Sequence, residues 1–141
     1  MKPYIHKVKY YECDRMGITH HSNYIRFMEE ARVDFLEQLG YGFEKIEEQG
    51  FVSPVIDLSV NYKHPTTFPD EISIEVLIGR LTSLKIGFKY VMKVADKTVC
   101  TANSTHCFLR DGRPVMIETA FPDLYSTISK QISSDPVIIQ K

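Results

Sequence analysis

From residue 22 to 39 the apolar positions Tyr24, Met28, Ala31, Phe35 and Leu39 step by three or four, with Ile25, Phe27 and Leu36 widening the stripe. That period predicts an amphipathic helix. Ser22 or Asn23 is placed to cap its start through a side-chain oxygen, and Gly40 to end it in the left-handed conformation. Arg26, Glu29, Glu30, Asp34 and Glu37 form the wetter face. A shorter helix is predicted over residues 43–49, stopping at Gly50.

Elsewhere the period is two. Residues 4–11 (YIHKVKYY) alternate apolar with polar positions and predict an opening strand. Residues 52–62 follow as a strand, then 71–81, where Ile72, Ile74, Val76 and Ile78 share one face. Residues 85–94 repeat the alternation with Ile86, Phe88, Tyr90, Met92 and Val94 opposite Lys85, Gly87, Lys89 and Lys93. Ala95-Asp96-Lys97 makes a tight connection into a strand over 98–110, whose small and polar residues suit close backbone approach, and Asp111-Gly112 turns the chain. A helical turn is expected over 123–132, and the tail from about 133, with Pro136, is expected to fray.

One long early helix among about five antiparallel strands implies an α+β fold in which the sheet wraps the helix. Its broad apolar stripe suits contact with strands on several sides. Two such units joined edge to edge would place a pocket at their boundary.

Composition narrows the function. A chain of 141 residues with 43% hydrophobic and 25% charged positions is expected to form one domain over 1–141, with little room for a deep internal pocket. The net charge of −1 and the lack of a basic run argue against nucleic acid as a partner. No long apolar run and no leader-like N-terminus are seen, so the expectation is a cytoplasmic protein without an integral membrane segment. Cys13, Cys100 and Cys107 lack CxxC spacing and read as free, mostly buried thiols.

The segment from Tyr10 to Tyr24, YYECDRMGITHHSNY, joins the first strand to the long helix and carries most of the chemistry. A helix N-terminus offers unpaired N–H groups and partial positive charge, which stabilise a carbonyl oxygen gaining negative charge. The backbone N–H of His21 is the candidate donor. Asp14, on the loop into the same helix start, is a candidate to activate water or to attack a carbonyl. An aspartate with the ordinary pKa of about 3.9 is a weak base, which suits an easily cleaved thioester better than an amide. His20 and His21 with Asp14 could suggest metal ligation, but adjacent histidines are expected to point apart and no third ligand has motif spacing.

The pattern Tyr10-x3-Asp14-x2-Gly17-x3-His21-x2-Tyr24, followed by Val60-x-Tyr62-x2-Pro65-x4-Asp70, resembles the hotdog-fold acyl-CoA thioesterases. The 4-hydroxybenzoyl-CoA thioesterase family, with its Tol–Pal-associated members, is the nearest subgroup, and the similarity runs from about residue 5 to 110. The resemblance implies a helix wrapped by an antiparallel sheet, dimers and often tetramers with sites at the dimer seam, and hydrolysis of coenzyme A thioesters. It implies Asp14 as catalytic carboxylate, the His21 amide as polarising donor, and Tyr10 and the His21 side chain as assisting groups. Coenzyme A enters as part of the substrate and no other cofactor is expected. The sequence departs from several relatives at Glu12-Cys13, and in another hotdog subgroup the carboxylate is a helix Glu, which leaves Glu29 or Glu30 as competitors.

Gly17 and Tyr24 join the substrate-facing set, Tyr24 equally as a core aromatic. Arg80, Ser83 and Lys85, near a strand junction, are candidates for the phosphates of a nucleotide-bearing thiol, with a solvated turn as the plainer account. Lys63 and His64 are similarly ambiguous, while Pro65 and Pro69 terminate a strand. Action on acyl carrier protein, a hotdog dehydratase, or a scaffold without turnover are the alternatives.

Overall fold

The computed structural model, which describes residues 1–134, turns the two periods of the chain into two layers. In chain order the elements are β1 (Tyr4–Lys7), α1 (Asn23–Gln38), α2 (Phe43–Glu48), β2 (Phe51–Val52), β3 (Val55–Tyr62), β4 (Glu71–Leu81), β5 (Ile86–Val94), β6 (Lys97–His106), β7 (Leu109–Arg110), β8 (Arg113–Pro114), α3 (Ile117–Ala120) and α4 (Pro122–Ser134). β1, β4, β5, β6 and β3 pair in that order as an antiparallel sheet, and β2, β7 and β8 form a small second sheet.

The core lies between α1 and the large sheet. Phe27, Met28, Ala31, Phe35 and Leu36 of α1 are buried against Ile72, Ile74 and Ile78 of β4 and Ile86, Phe88, Tyr90 and Met92 of β5. Phe35 meets Phe88 edge-on at 5.9 Å. Gly40, at φ 89°, ends α1 as expected, with the Tyr41 N–H returning to the Leu36 carbonyl.

Several boundaries differ from expectation for identifiable reasons. β1 stops at Lys7, and residues Tyr10–Glu12 form a 3-10 turn instead of more strand. The buried Glu12 side chain accepts the Lys9 N–H at 2.7 Å and meets the His6 ring, which curls the chain inward. Ser22 does not cap α1: its backbone is already helical, and its Oγ lies 2.8 Å from His20 Nδ1. Pro54, without an N–H, marks the break of the expected 52–62 strand, sending Phe51–Val52 to the small sheet. The 98–110 strand likewise ends at His106 and resumes as β7. α4 is a full helix through Ser134, longer than the helical turn expected. The fraying expected of the tail concerns mainly residues 135–141, which lie outside the described residues.

β3 is one edge of the large sheet, with the short β1 at the other. Leu58, Val60 and Tyr62, opposite the buried Ser104, Ala102 and Cys100, fall on the face that α1 covers elsewhere, yet Leu58 and Tyr62 are 37 and 49% exposed, and Ile56, at a bulge in the same strand, is 47% exposed. Only at the Tyr62 end does a ring of α1, that of Tyr24, lie edge-on against this stripe among the contacts of the described residues, at 5.3 Å. An unpaired ladder edge beside an apolar stripe is a surface that natural proteins cover.

Under α1 runs a buried polar chain: Tyr90 Oη to Ser104 Oγ at 2.7 Å, and Ser104 Oγ to His106 Nε2 at 2.8 Å. Burial, then the nearby Arg32 guanidinium, push His106 down from 6.5 to about 3. The unfolded chain therefore takes up this proton below about 6.5 and the folded chain only near 3, so stability is lost as pH falls through that window. The loss is at most about 1.4 kcal/mol per pH unit. The melting temperature should fall between pH 7 and 4, and His106→Gln should flatten part of that slope. An unaltered acid slope in His106→Gln would assign the effect elsewhere.

Candidate active site

Asp14 sits on a tight loop closed by the antiparallel bridge between Cys13 and Thr19 and by its own N–H donating to the Ile18 carbonyl at 2.8 Å. The turn inside the loop needs Gly17 at φ 77°, a conformation side-chain-bearing residues rarely adopt. One carboxylate oxygen of Asp14, Oδ1, accepts the Met16 N–H at 2.8 Å. Oδ2 has no hydrogen-bond partner among the described residues, and none of their cations lies within 4.0 Å of the carboxylate. This half-buried anion is therefore not tied up in an ion pair.

The base of the loop is anchored to the segment after β3. The Thr19 N–H donates to the Thr66 carbonyl at 2.8 Å, and the buried Thr66 hydroxyl lies 2.6 Å from Thr19 Oγ1 and 2.9 Å from Tyr24 Oη. Thr67 Oγ1 donates to the Gly17 carbonyl at 2.7 Å. Tyr24 is buried and joins this cluster, so it is both a core aromatic and a wall of the site.

The His21 carbonyl accepts from the Tyr62 hydroxyl at 2.9 Å, which fixes the orientation of the peptide at the start of α1. Among the described residues the His21 N–H has no acceptor, so it is a donor still to be used. Burial raises the Tyr62 hydroxyl above its ordinary value, keeping it a donor. The imidazoles of His20 and His21 do not point apart as expected: they stack at 4.2 Å, because the chain here turns and side chains do not alternate as in a strand. The described residues hold no cluster of three or more His, Cys, Asp or Glu side chains able to grip a metal ion.

Asp14, His21, Tyr24, Tyr62, Lys63 and His64 line one cavity of about 330 Å³. It offers a free carboxylate oxygen and a cation, Lys63, in one concave space, with the unused His21 N–H belonging to a residue of its wall. Such an arrangement can hold a carbonyl, attack it or activate water beside it, and receive a negatively charged tail.

Other expected site residues stand apart. Tyr10 is 81% exposed on the 3-10 turn, with its ring edge-on to Phe68, and does not line the cavity. Glu29 is exposed, and Glu30 takes the Tyr4 hydroxyl at 2.8 Å; neither lines the cavity. Arg80, Ser83 and Lys85 lie where β4 turns into β5. Asp14 lies near the start of β4, so the eleven residues of that strand, at roughly 3.3 Å each, hold the two places about 30 Å apart in one chain. Ser83 Oγ donates to Glu118 at 2.8 Å, and the Lys85 N–H donates to Thr82 Oγ1 at 3.0 Å. Tyr62 and Thr66 were not singled out for the site from sequence, because their roles arise from contacts over forty residues back along the chain.

Residues 8–124 match the thioesterase-like superfamily. A candidate esterase of Aquifex aeolicus is 33% identical over 81% of this chain and 89% of its own length. YneP of Bacillus subtilis, named as a candidate acyl-CoA thioesterase, is 30% identical over 88% of this chain and 92% of its own. The crystal structure of DHNA-CoA thioesterase from Staphylococcus aureus superposes with a TM-score of 0.90 at 26% identity, covering 98% of this chain and 96% of that one. This shared architecture is the hotdog fold, a helix wrapped by an antiparallel sheet.

Proposed function

Because the chain belongs to the thioesterase-like superfamily, and is thus a thioester hydrolase, we propose that it cleaves acyl-CoA thioesters with Asp14 as the working carboxylate. The observation that carries this is the free carboxylate oxygen of Asp14 in the cavity that His21, whose N–H is unused, also lines at the start of α1. Placement among the 4-hydroxybenzoyl-CoA thioesterases rests on the spacing of Asp14, Gly17, His21 and Tyr24.

The acyl carbonyl oxygen accepts from the His21 N–H, so the negative charge formed on attack meets a fixed donor and the positive end of α1. Asp14 either takes a proton from a water molecule as that water adds to the carbonyl carbon, or adds to the carbon itself. The tetrahedral intermediate then breaks its C–S bond and the thiolate leaves; on the first route the product is the free acid, and on the second an acyl anhydride of Asp14 that water hydrolyses, and in both the proton lost by the water passes to the coenzyme A thiolate. The His21 ring and the Tyr62 hydroxyl flank the entry.

Self-association completes the site in this reading. A two-fold partner added along β3 must run antiparallel to it, continuing the sheet and covering Ile56 and Leu58. Val55 then falls opposite the partner's copy of the other strand end. Since the β4–β5 turn lies at the Val55 end of the sheet, the partner's turn comes to the same end as this chain's Asp14. Arg80, Ser83 and Lys85 thereby serve the neighbouring site, within reach of a long nucleotide-bearing thiol, while Lys63 and His64 serve their own.

Thiol release from short, long and aromatic acyl-CoA panels tests this function. The reading predicts release well above the uncatalysed rate for at least one class. Release confined to acyl carrier protein thioesters would move the substrate to that carrier, and release from none would leave a scaffold.

A further inference from the structure

We propose that the buried His6–Glu12 contact, edged by the more exposed Glu30, forms a clamp that positions the Asp14 loop, so that His6 and Glu12 are positioning residues for thioester cleavage; this rests on the Asp14 reading above. His6 lies in β1 and is 5% exposed. Its Nε2 is 2.9 Å from Glu12 Oε1 and its Nδ1 is 3.5 Å from Glu30 Oε1, while its ring lies against that of Phe27 at 4.1 Å. Each ring nitrogen faces a carboxylate oxygen, Glu12 on one side and Glu30 on the other, so the ring stands between the two side chains. Tyr4 supplies a further donor, its hydroxyl 2.8 Å from Glu30; burial and that hydrogen bond push the phenol up to about 12, so it keeps its proton.

Glu12 carries this anchoring into the site. Its side chain accepts the Lys9 N–H at 2.7 Å as well as meeting His6, which locks the 3-10 turn. Its backbone carbonyl accepts both the His20 N–H and the Asn23 side-chain amide, each at 2.8 Å. One residue therefore ties β1 to the stretch that holds the His21 N–H, and it stands two positions before Asp14. The Thr66 cluster holds the other end of the loop. Glu12 does not line the cavity and touches no reacting atom.

Burying a carboxylate in this position is unfavourable unless its oxygens find donors, and Glu12 Oε1 meets both the Lys9 N–H and the His6 ring. A carboxylate serving only to satisfy the Lys9 N–H could be replaced by an amide without functional loss. Positioning of the loop by the His6–Glu12 contact demands more.

Glu12→Gln separates these cases, since it keeps an acceptor for Lys9 and nearly the same shape. The clamp predicts a fall in kcat of roughly 10-fold or more with KM within about 3-fold, and a smaller loss in Glu30→Gln, whose carboxylate is farther and wetter. Amide hydrogen exchange gives a readout independent of catalysis. The protected Asp14 and His20 N–H groups should exchange at least about 10-fold faster in Glu12→Gln, with Phe35 in the last turn of α1 unchanged. If Glu12→Gln does not fold, His6→Gln is measured by the same exchange. Unchanged exchange at Asp14 and His20, or unchanged kcat in Glu12→Gln, overturns the clamp. Full activity in Asp14→Asn would instead overturn the Asp14 reading, and loop exchange would still decide the clamp.

Discussion

Asp14→Asn should lose at least about 10³-fold in kcat while keeping the melting temperature within a few degrees, the size of effect expected when a catalytic group is removed and not merely a contact. The amide is nearly the same shape and can still accept the Met16 N–H that shapes the turn, so the loop is retained. What it loses is the charge and the basicity: an amide oxygen neither takes a proton from water nor adds to a thioester carbonyl. KM should change little, because the His21 N–H and the cavity walls remain. A kcat within about ten-fold of wild type, measured by thiol release, would remove Asp14 from the chemistry. Glu29 and Glu30 would then become the competitors.

On the β3-to-β3 pairing proposed above, Leu58→Lys should leave the chain monomeric and reduce kcat/KM by roughly 100-fold, a loss read through the missing partner and not through the fold. Leu58 is 37% exposed on the open strand, so a lysine there extends into water in the free chain. In a β3-to-β3 dimer the same lysine lies near its two-fold mate, where like charges oppose each other in a desolvated seam. Light scattering should report the monomer mass, with far-UV circular dichroism unchanged. A dimer that persists with full activity would place the interface on another surface.

The helix and the central strands were legible because their signals are local. Residues 22–39 and 71–81 carry clean periods, and the observed Asn23–Gln38 and Glu71–Leu81 follow them closely. The small sheet was not, since Phe51 pairs with Arg110 across four of the five strands of the large sheet in sequence, and two-residue strands carry no period. Arg32 escaped notice for a related reason: it lies on the inner side of α1 at 4% exposure, over the Phe43 ring, where periodicity favours an apolar residue.

In the candidate cavity, Asp14, His21 and Tyr24 come together because a tight loop and a helix start bring near neighbours in sequence to one place, while Gly17 makes the turn and does not line the cavity. Tyr62 ends β3 and Thr66 lies on the segment after it, and only folding shows that their hydroxyls hold His21 and Tyr24. Arg80, Ser83 and Lys85 have a chemistry suited to phosphate, yet a β-strand keeps them from Asp14 in their own chain. Tyr10 kept its place in the spacing but faces outward beside Phe68.

Trapping intact substrate tests the central claim most directly: a crystal structure of the Asp14→Asn protein with an acyl-CoA that the wild type cleaves. The account predicts the thioester carbonyl oxygen about 2.7–3.1 Å from the His21 backbone nitrogen, with the substituted side chain at position 14 beside the carbonyl carbon. An acyl group seated instead in the cavity of about 280 Å³ between Tyr4, Phe35 and Ile132, its carbonyl far from His21, would contradict it.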